Sequence, residues 1–230
     1  MTYNVGVFDK YMDDSAGEIA ALVKSLGADV VALNELDSCN RRHDTFQLVD
    51  FAQALGGWNH AYSSSFPFAD GSYGNGIAAT DTFIYEEKVL LPLSDGAEQR
   101  SMMVVETEKY VLACTHLDHK GENARMDQVR FINSWINGRY ARSDKPVFLC
   151  GDMNAVPDDP VVRELLKNWM LLSVTEATWP SQNPEECLDY IFCLKSGKPI
   201  RILKSEIPEY HGIEQYSDHL PLLVKVCLWN

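Results

Sequence analysis

Three short runs, VVAL (30–33), VLAC (111–114) and VFLC (147–150), are apolar at every position, and each leads within two residues to a polar side chain of a catalytic kind. Runs this short do not make helices. A strand with no polar alternation is one covered on both faces, which points to an α/β fold with sheets inside covering layers. The chain has 230 residues, of which 46% are hydrophobic and 23% charged, enough for a packed core. A single domain over residues 1–230 is expected, since α/β cores reach this size.

The remaining elements follow from period and punctuation. Residues 15–27 read as a helix, with Ser15 and Glu18 as a capping box, Ile19, Leu22, Val23 and Leu26 on one face, and Gly27 as its stop. A second helix is expected from about Asp44 to Leu55, where Gly56 and Gly57 end it. From Trp58 to His116 the pieces WNHAYS, NGIAAT, TFIYEEKVLL, MMVVETE and YVLACTH predict an antiparallel meander. Met126, Val129, Ile132 and Ile136 share a helix face, and Asp159 before Pro160 starts another helix. LDYIFC, IRILKSEI and LPLLVKVCL complete the β content, and no repeat or low-complexity linker divides the chain.

The 33 acidic and 20 basic side chains give a net charge of −13, an average field that repels polyanions. Nucleic-acid affinity rests largely on Lys and Arg, so the balance weighs against a DNA-binding enzyme, although a bound cation reverses the potential inside one acidic cleft. The Arg41, Arg42, His43 run is too short for a phosphate track. The six cysteines form no C-x-x-C pair, and Cys114 and Cys150, inside apolar runs, read as free core thiols. No apolar stretch approaches the ~20 residues that span a bilayer. The first strand-like run, TYNVGV, starts abruptly next to Met1, which leaves an upstream export signal as an expectation and the compartment open between cytoplasm and export.

Polar residues gather where apolar strands end: Asn4, Glu35, His116, Asp152 with Asn154, Asp189, and Asp218 with His219. Each alone has an ordinary explanation, such as a turn-forming Asp or a structural His. Their recurrence at strand ends is what points to a site, because strands hold the backbone while their ends open to solvent.

The segments YNVG, VVALNELD, YGNGIA, EQRSMMVVE, THLDH, VFLCGDMNAVPDDP, LDYIF and YSDHLPLLV resemble, in order and spacing, the endonuclease/exonuclease/phosphatase superfamily. That superfamily includes DNase I-like nucleases, neutral sphingomyelinases and inositol polyphosphate 5-phosphatases. The resemblance implies a four-layer α/β sandwich, two mixed sheets face to face with helices outside. It also implies a phosphoesterase using Mg²⁺ or Mn²⁺, whose hard-oxygen ligands would be Glu35, with Asn4 beside it and Asp218 near the same metal. Asp152 matches the residue that activates water, and Asn154 the amide that orients phosphate. His219 matches the histidine that contacts the scissile phosphate, with Asp189 as its carboxylate partner. His116 matches a second phosphate-facing histidine, which stabilises the leaving group or protonates it.

Arg100 sits where bacterial members carry arginine, either to touch substrate or, the favoured reading, to brace an acidic residue such as Glu35. Asp118 and His119 are expected to support the site from behind, with His119 also a candidate substrate contact alongside Asn75, and Tyr73 and Asn75 resemble a rim loop. His43, His60 and His211 match no motif and are assigned surface or structural roles.

Three functions remain open on the sequence. A monomeric phosphodiesterase or phosphatase for a small or lipid-derived phosphoester is favoured by the acidic balance. A magnesium-dependent nuclease or abasic-site enzyme is disfavoured by it, and an inert binding module on the same fold is disfavoured by the capable residues at every matched position. Residues 63–73, 95–100, 178–186 and 208–216, with Phe66, Phe68, Trp179 and Tyr210, are expected to border the cleft.

Overall fold

In the computed structural model, which describes residues 1–94 and 98–228, the apolar runs become the centres of two mixed sheets. The first holds β1 (Thr2–Asn4), β2 (Val30–Ser38), β3 (Asn59–Phe68) and β4 (Gly71–Ala79) in the order β1-β2-β4-β3. The second holds β5 (Tyr85–Leu90), β6 (Ser101–Glu106), β7 (Val111–His116), β8 (Val147–Asp152), β9 (Trp169–Leu171) and β10 (Asp189–Leu194) in the order β5-β6-β7-β8-β10-β9. Pairs β1–β2 and β7–β8 are parallel and the others antiparallel. A separate ribbon pairs β11 (Ile200–Glu206) with β12 (Leu223–Leu228).

Strand period explains why the second sheet is apolar on both sides. Val111 and Ala113, Val147 and Leu149, and Tyr190 and Phe192 point to one core, shared with helices α3 (Glu122–Tyr140) and α4 (Pro160–Asn168). The alternate residues, Leu112 and Cys114, Phe148 and Cys150, Ile191 and Cys193, point to a second core that also takes Ala32 and Ile77 from the first sheet. A third core lies between the first sheet and helices α1 (Ala16–Leu26) and α2 (Gln47–Ala54). The layers therefore run helix, sheet, sheet, helix, the expected sandwich. Cys114 and Cys150 are free and buried, as anticipated.

Several local expectations are corrected by long-range partners. Ser15 precedes α1 but does not cap it; its hydroxyl donates to the Phe8 and Tyr216 carbonyls, and Asp14 Oδ1 accepts from Ala16 N–H instead. The second helix begins at Gln47 rather than near Asp44, because the Gln47 amide ties Asp37 N–H to the Val7 carbonyl. The stretch from Trp58 to His116 is not one meander. β3 and β4 join the first sheet while β5, β6 and β7 form a meander in the second. The strand of VVAL continues past Glu35 to Ser38 through an irregularity in its pairing with β4 between Leu33 and Leu36. The short edge strand β9 carries too few residues to show a period. The Gly27 stop and the Asp159 cap with Pro160 behind it occur as expected. No helix among the described residues is long and apolar enough to cross a membrane.

Candidate active site

Three adjacent strands deliver three side chains to one edge of the second sheet. His116 ends β7 beside Asp152 at the end of parallel β8, and Asp189 begins antiparallel β10 directly opposite Asp152. Strand direction explains why a residue at a strand start meets two at strand ends. Asn4 ends β1 in the facing sheet, and its Nδ2 donates to Glu35 Oε1 (3.1 Å) and to Asp152 Oδ2 (3.0 Å), so one amide spans both carboxylates. Its Oδ1 accepts from Gly6 N–H (3.1 Å).

Glu35 reaches this place because of the irregularity in β2. Its φ of 60° is a left-handed conformation inside a strand, costly for a residue with a side chain and retained where surroundings determine it. Gly151 is the second backbone device, with φ 135°. A Cβ there would overlap the Thr115 carbonyl of β7, so only glycine lets the two strands stay paired beside Asp152. Gly151→Ala is expected to lower the free energy of unfolding by about 3 kcal/mol or more. Urea denaturation checks this, and a loss under about 1 kcal/mol would mean that the strands accommodate the methyl group.

The imidazoles have opposite environments. His219 Nδ1 lies 2.8 Å from Asp189 Oδ2, which also accepts from the Thr178 hydroxyl (2.7 Å), and His219 Nε2 lies 3.7 Å from Asp152 Oδ2. Burial resists a charge on His219, but the Asp189 and Asp152 carboxylates outweigh it and carry the pKa up to about 10. His116 is held well below the ordinary value by burial, then by the positive charges of Arg100 and His219. Hydrogen bonding agrees: Asn154 Nδ2 donates to the Leu117 carbonyl (2.9 Å), and its second hydrogen faces His116 Nε2 (2.9 Å), which must then be an acceptor. The 3.4 Å approach of His116 Nε2 to Asp152 is accordingly not an ion pair.

Asp152 is itself pushed up to about 7, first by burial, against which the His219 charge acts, with Asp189 adding to the rise. Asn154 N–H (2.8 Å) and Asn4 Nδ2 hold its two oxygens, and its own N–H donates to Asn34 Oδ1 (2.9 Å). Ser217 accepts from the His219 N–H and donates to the Asn4 carbonyl (2.7 Å), fixing the Ser217–His219 loop against β1.

These side chains open into a cleft of about 480 Å³ that Glu35, Tyr73, Arg100, His119, Trp179 and Asp218 also line, together with Glu98, Glu186 and Leu188. A larger cavity, about 510 Å³, shares none of these residues; it lies against Tyr110, Phe148, Ile191 and the β12 residues, and its lining holds no His, Asn or Arg. Arg100 is buried and faces Glu98 (3.3 Å) and His119 Nδ1 (3.0 Å); it braces an acidic residue, but that residue is Glu98 and not Glu35. Its Nε and His116 Nδ1, like Asp189 Oδ1, are buried polar atoms without a partner among the described residues.

Asn75 is buried behind the cleft, accepting from Asn34 Nδ2 (2.9 Å) and donating to the Ser101 carbonyl, so it orders Asn34 and does not line the opening. Asp118 accepts from Lys120 and Gly121 N–H and supports the turn carrying His119. His43 closes on buried Asp37 (2.7 Å) beside Arg42, a structural role; His60 and His211 are peripheral. Of the expected border segments, Tyr73, Glu98, Arg100, Trp179 and Glu186 reach the cleft, whereas Phe66 packs on Tyr73 and Tyr210 on Tyr216. Residues 95–97 lie outside the described residues. Asn34, Thr178 and Lys10 went unpredicted. Asn34 stands beside Glu35 in sequence, but nothing local distinguishes a site amide from a strand-end residue.

The endonuclease/exonuclease/phosphatase family model matches residues 1–219. The chain belongs to that family. Its members are hydrolases of phosphoesters and generally use divalent metals. Among curated proteins it is similar to a phospholipase C of Staphylococcus aureus, 27% identical over 127 residues, which covers 43% of this chain and 38% of that protein. The matching part is thus well under half the length of that relative. Among solved structures, an endonuclease/exonuclease/phosphatase from Bacteroides vulgatus superposes with a TM-score of 0.82 at 16% identity, over 99% of this chain and 97% of the other. The mannosyl-6-phosphatase Bt3783 of Bacteroides thetaiotaomicron gives 0.80 at 16% identity, over 99% and 98%. D. rerio TDP2, complexed with a single-strand DNA product, gives 0.75 at 18% identity, over 98% and 97%. At these identities the likeness is one of fold.

Proposed function

We propose that the protein is a metal-dependent phosphoesterase that hydrolyses a small or lipid-derived phosphate mono- or diester by in-line attack of water. The observation that carries this reading is the buried Asp189–His219 pair facing Asp152, which the Asn4 amide links to Glu35. A protonated imidazole and a carboxylate whose pKa sits near neutrality are the acid and base that such a reaction needs.

The cation is assigned to Glu35 and Asp218. Their carboxylates converge on a single positive group, the Lys10 ammonium, at 3.8 and 3.4 Å, and hard oxygen donors partly open to solvent suit Mg²⁺ or Mn²⁺. Asp152, Asp189 and His219 also bring ligand atoms within 4.8 Å of one another. That trio is less suited, because Asp189 Oδ2 already accepts from Thr178 and pairs with His219 Nδ1, and Asp152 Oδ2 already accepts from Asn4. A divalent ion bound at Glu35 would neutralise charge on the phosphate oxygens.

Asp152 takes the proton of the attacking water, whose oxygen bonds to phosphorus as the P–O bond to the leaving group breaks, while His219, kept charged by Asp189, offers Nε2–H to the phosphate and gives that proton to the departing oxygen. His116, neutral with Nε2 accepting from Asn154, carries its N–H on the buried Nδ1, and so fits orienting the Asn154 amide better than delivery of a proton. No Ser or Cys lines the cleft among the described residues, in keeping with direct attack by water. The acidic balance supports a small or lipid-derived substrate over duplex DNA.

The test is a panel of sugar phosphates, choline and inositol phospholipids, aryl phosphodiesters and DNA, each run with Mg²⁺, Mn²⁺ or chelator. Turnover of a small or lipid ester that chelator abolishes is expected. Salt-sensitive DNA nicking with no small-ester turnover would replace the substrate class, and absence of both turnover and any melting shift at millimolar metal would remove the enzyme reading.

A further inference from the structure

Lys10 follows the tight turn at residues 6–8, and no sequence motif accounts for it. Its Nζ sits 3.4 Å from Asp218 Oδ2 and 3.8 Å from Glu35 Oε2. The stem reaches there by lying against Gly6, whose φ is 52° and where a Cβ would overlap Lys10 Cγ. Gly6 is itself fixed by the Asn4 amide, so the lysine path and the Glu35 support share one anchor.

We propose that the Lys10 ammonium is a built-in occupant of the cation position between Glu35 and Asp218, which a divalent ion displaces on loading. The inference rests on the metal assignment above and adds a competing group within the chain. Without a cation, two carboxylates brought together by separate elements repel each other, and the ammonium offsets that repulsion. Its hold is weak: about a third of the Lys10 side chain is exposed, and ion pairs open to solvent contribute little. Asp9, Tyr11, Asp13 and Asp14 around it are exposed, so the side chain has solvent to move into. Glu35 does not follow it out, because its other oxygen is held by Asn4 and its backbone by the irregular pairing of β2 with β4. The Glu35 carboxylate thus stays in place for the incoming ion, at the cost of releasing one charge partner.

Calorimetric titration of Mn²⁺ into chelator-treated wild type and Lys10→Met tests this without reference to turnover. The variant is expected to bind Mn²⁺ about 3- to 10-fold more tightly, the size of two solvent-exposed ion pairs no longer broken. Its melting temperature should fall below wild type in chelator, and saturating Mn²⁺ should close the gap. If wild type binds Mn²⁺ and Lys10→Met binds no more tightly, the displacement idea is overturned while the metal assignment stands. If wild type takes up no Mn²⁺, both are overturned.

Discussion

Asp152→Asn is expected to lower turnover by about 10²-fold or more while leaving the fold intact, because the change removes the base and keeps the shape. The two Asp152 oxygens are matched to donors, Asn4 Nδ2 on one and Asn154 N–H on the other, and an amide reproduces only one of these pairings. Stability should nevertheless hold or rise at pH 8. The folded-state pKa of Asp152 is raised to about 7 from an ordinary 3.8, mainly by burial, so the folded protein binds the proton more tightly than the unfolded chain does. Any stability from that proton is lost as pH rises through this window, and above it the ionised buried carboxylate is a cost. Asparagine carries no such cost. Initial rates on the best ester of the substrate panel, set beside thermal melts at pH 8, check both halves. Turnover within about twofold of wild type would exclude Asp152 as the base, since acid–base groups contribute far more.

That prediction rests on an arrangement partly legible in the sequence. The fully apolar runs revealed strands covered on both faces, since alternating residues of β7, β8 and β10 feed two different cores. The polar residues beyond those runs were legible because strand ends open at a common edge, and the resemblance to known motifs placed Asp189 and His219 as partners. What escaped was whatever depends on pairing between distant segments. Ser15 looked like a cap because Glu18 follows at the right interval, but the chain returning at Tyr216 offers its hydroxyl a carbonyl. The meander split because sheet membership is decided by core packing, which strand propensity does not encode. Glu35 enters the site through a left-handed residue that no local pattern requires. Lys10 carries no signal at all, since its role exists only once β2 and the Asp218 loop have met.

Asp189→Asn should act on the acid as Asp152→Asn acts on the base, and here the informative quantity is the pH profile. With Asp152 losing its proton near 7 and His219 near 10, kcat/KM in the wild type should rise toward pH 7, hold through the mildly alkaline range and fall toward pH 10. An asparagine at 189 can still accept from His219 Nδ1, so the ring stays placed, but the negative charge 2.8 Å away is gone. Burial then acts on the imidazole with only Asp152 and more distant carboxylates in opposition. The alkaline limb is therefore expected to move down by about one to three pH units, the range an adjacent opposite charge controls. Turnover at pH 8 should fall by about 10²-fold, as for loss of an acid–base group. Stability gives an independent readout with its own sign. His219 is raised above its unfolded value, so its contribution is fully present below pH 6.5 and disappears as pH climbs through 10. Wild type should accordingly lose melting temperature across that window, and the variant should lose much less. An alkaline limb that stays put in Asp189→Asn would assign that ionisation to some other group and leave His219 a positioning residue, held in place by Asp189 for shape alone.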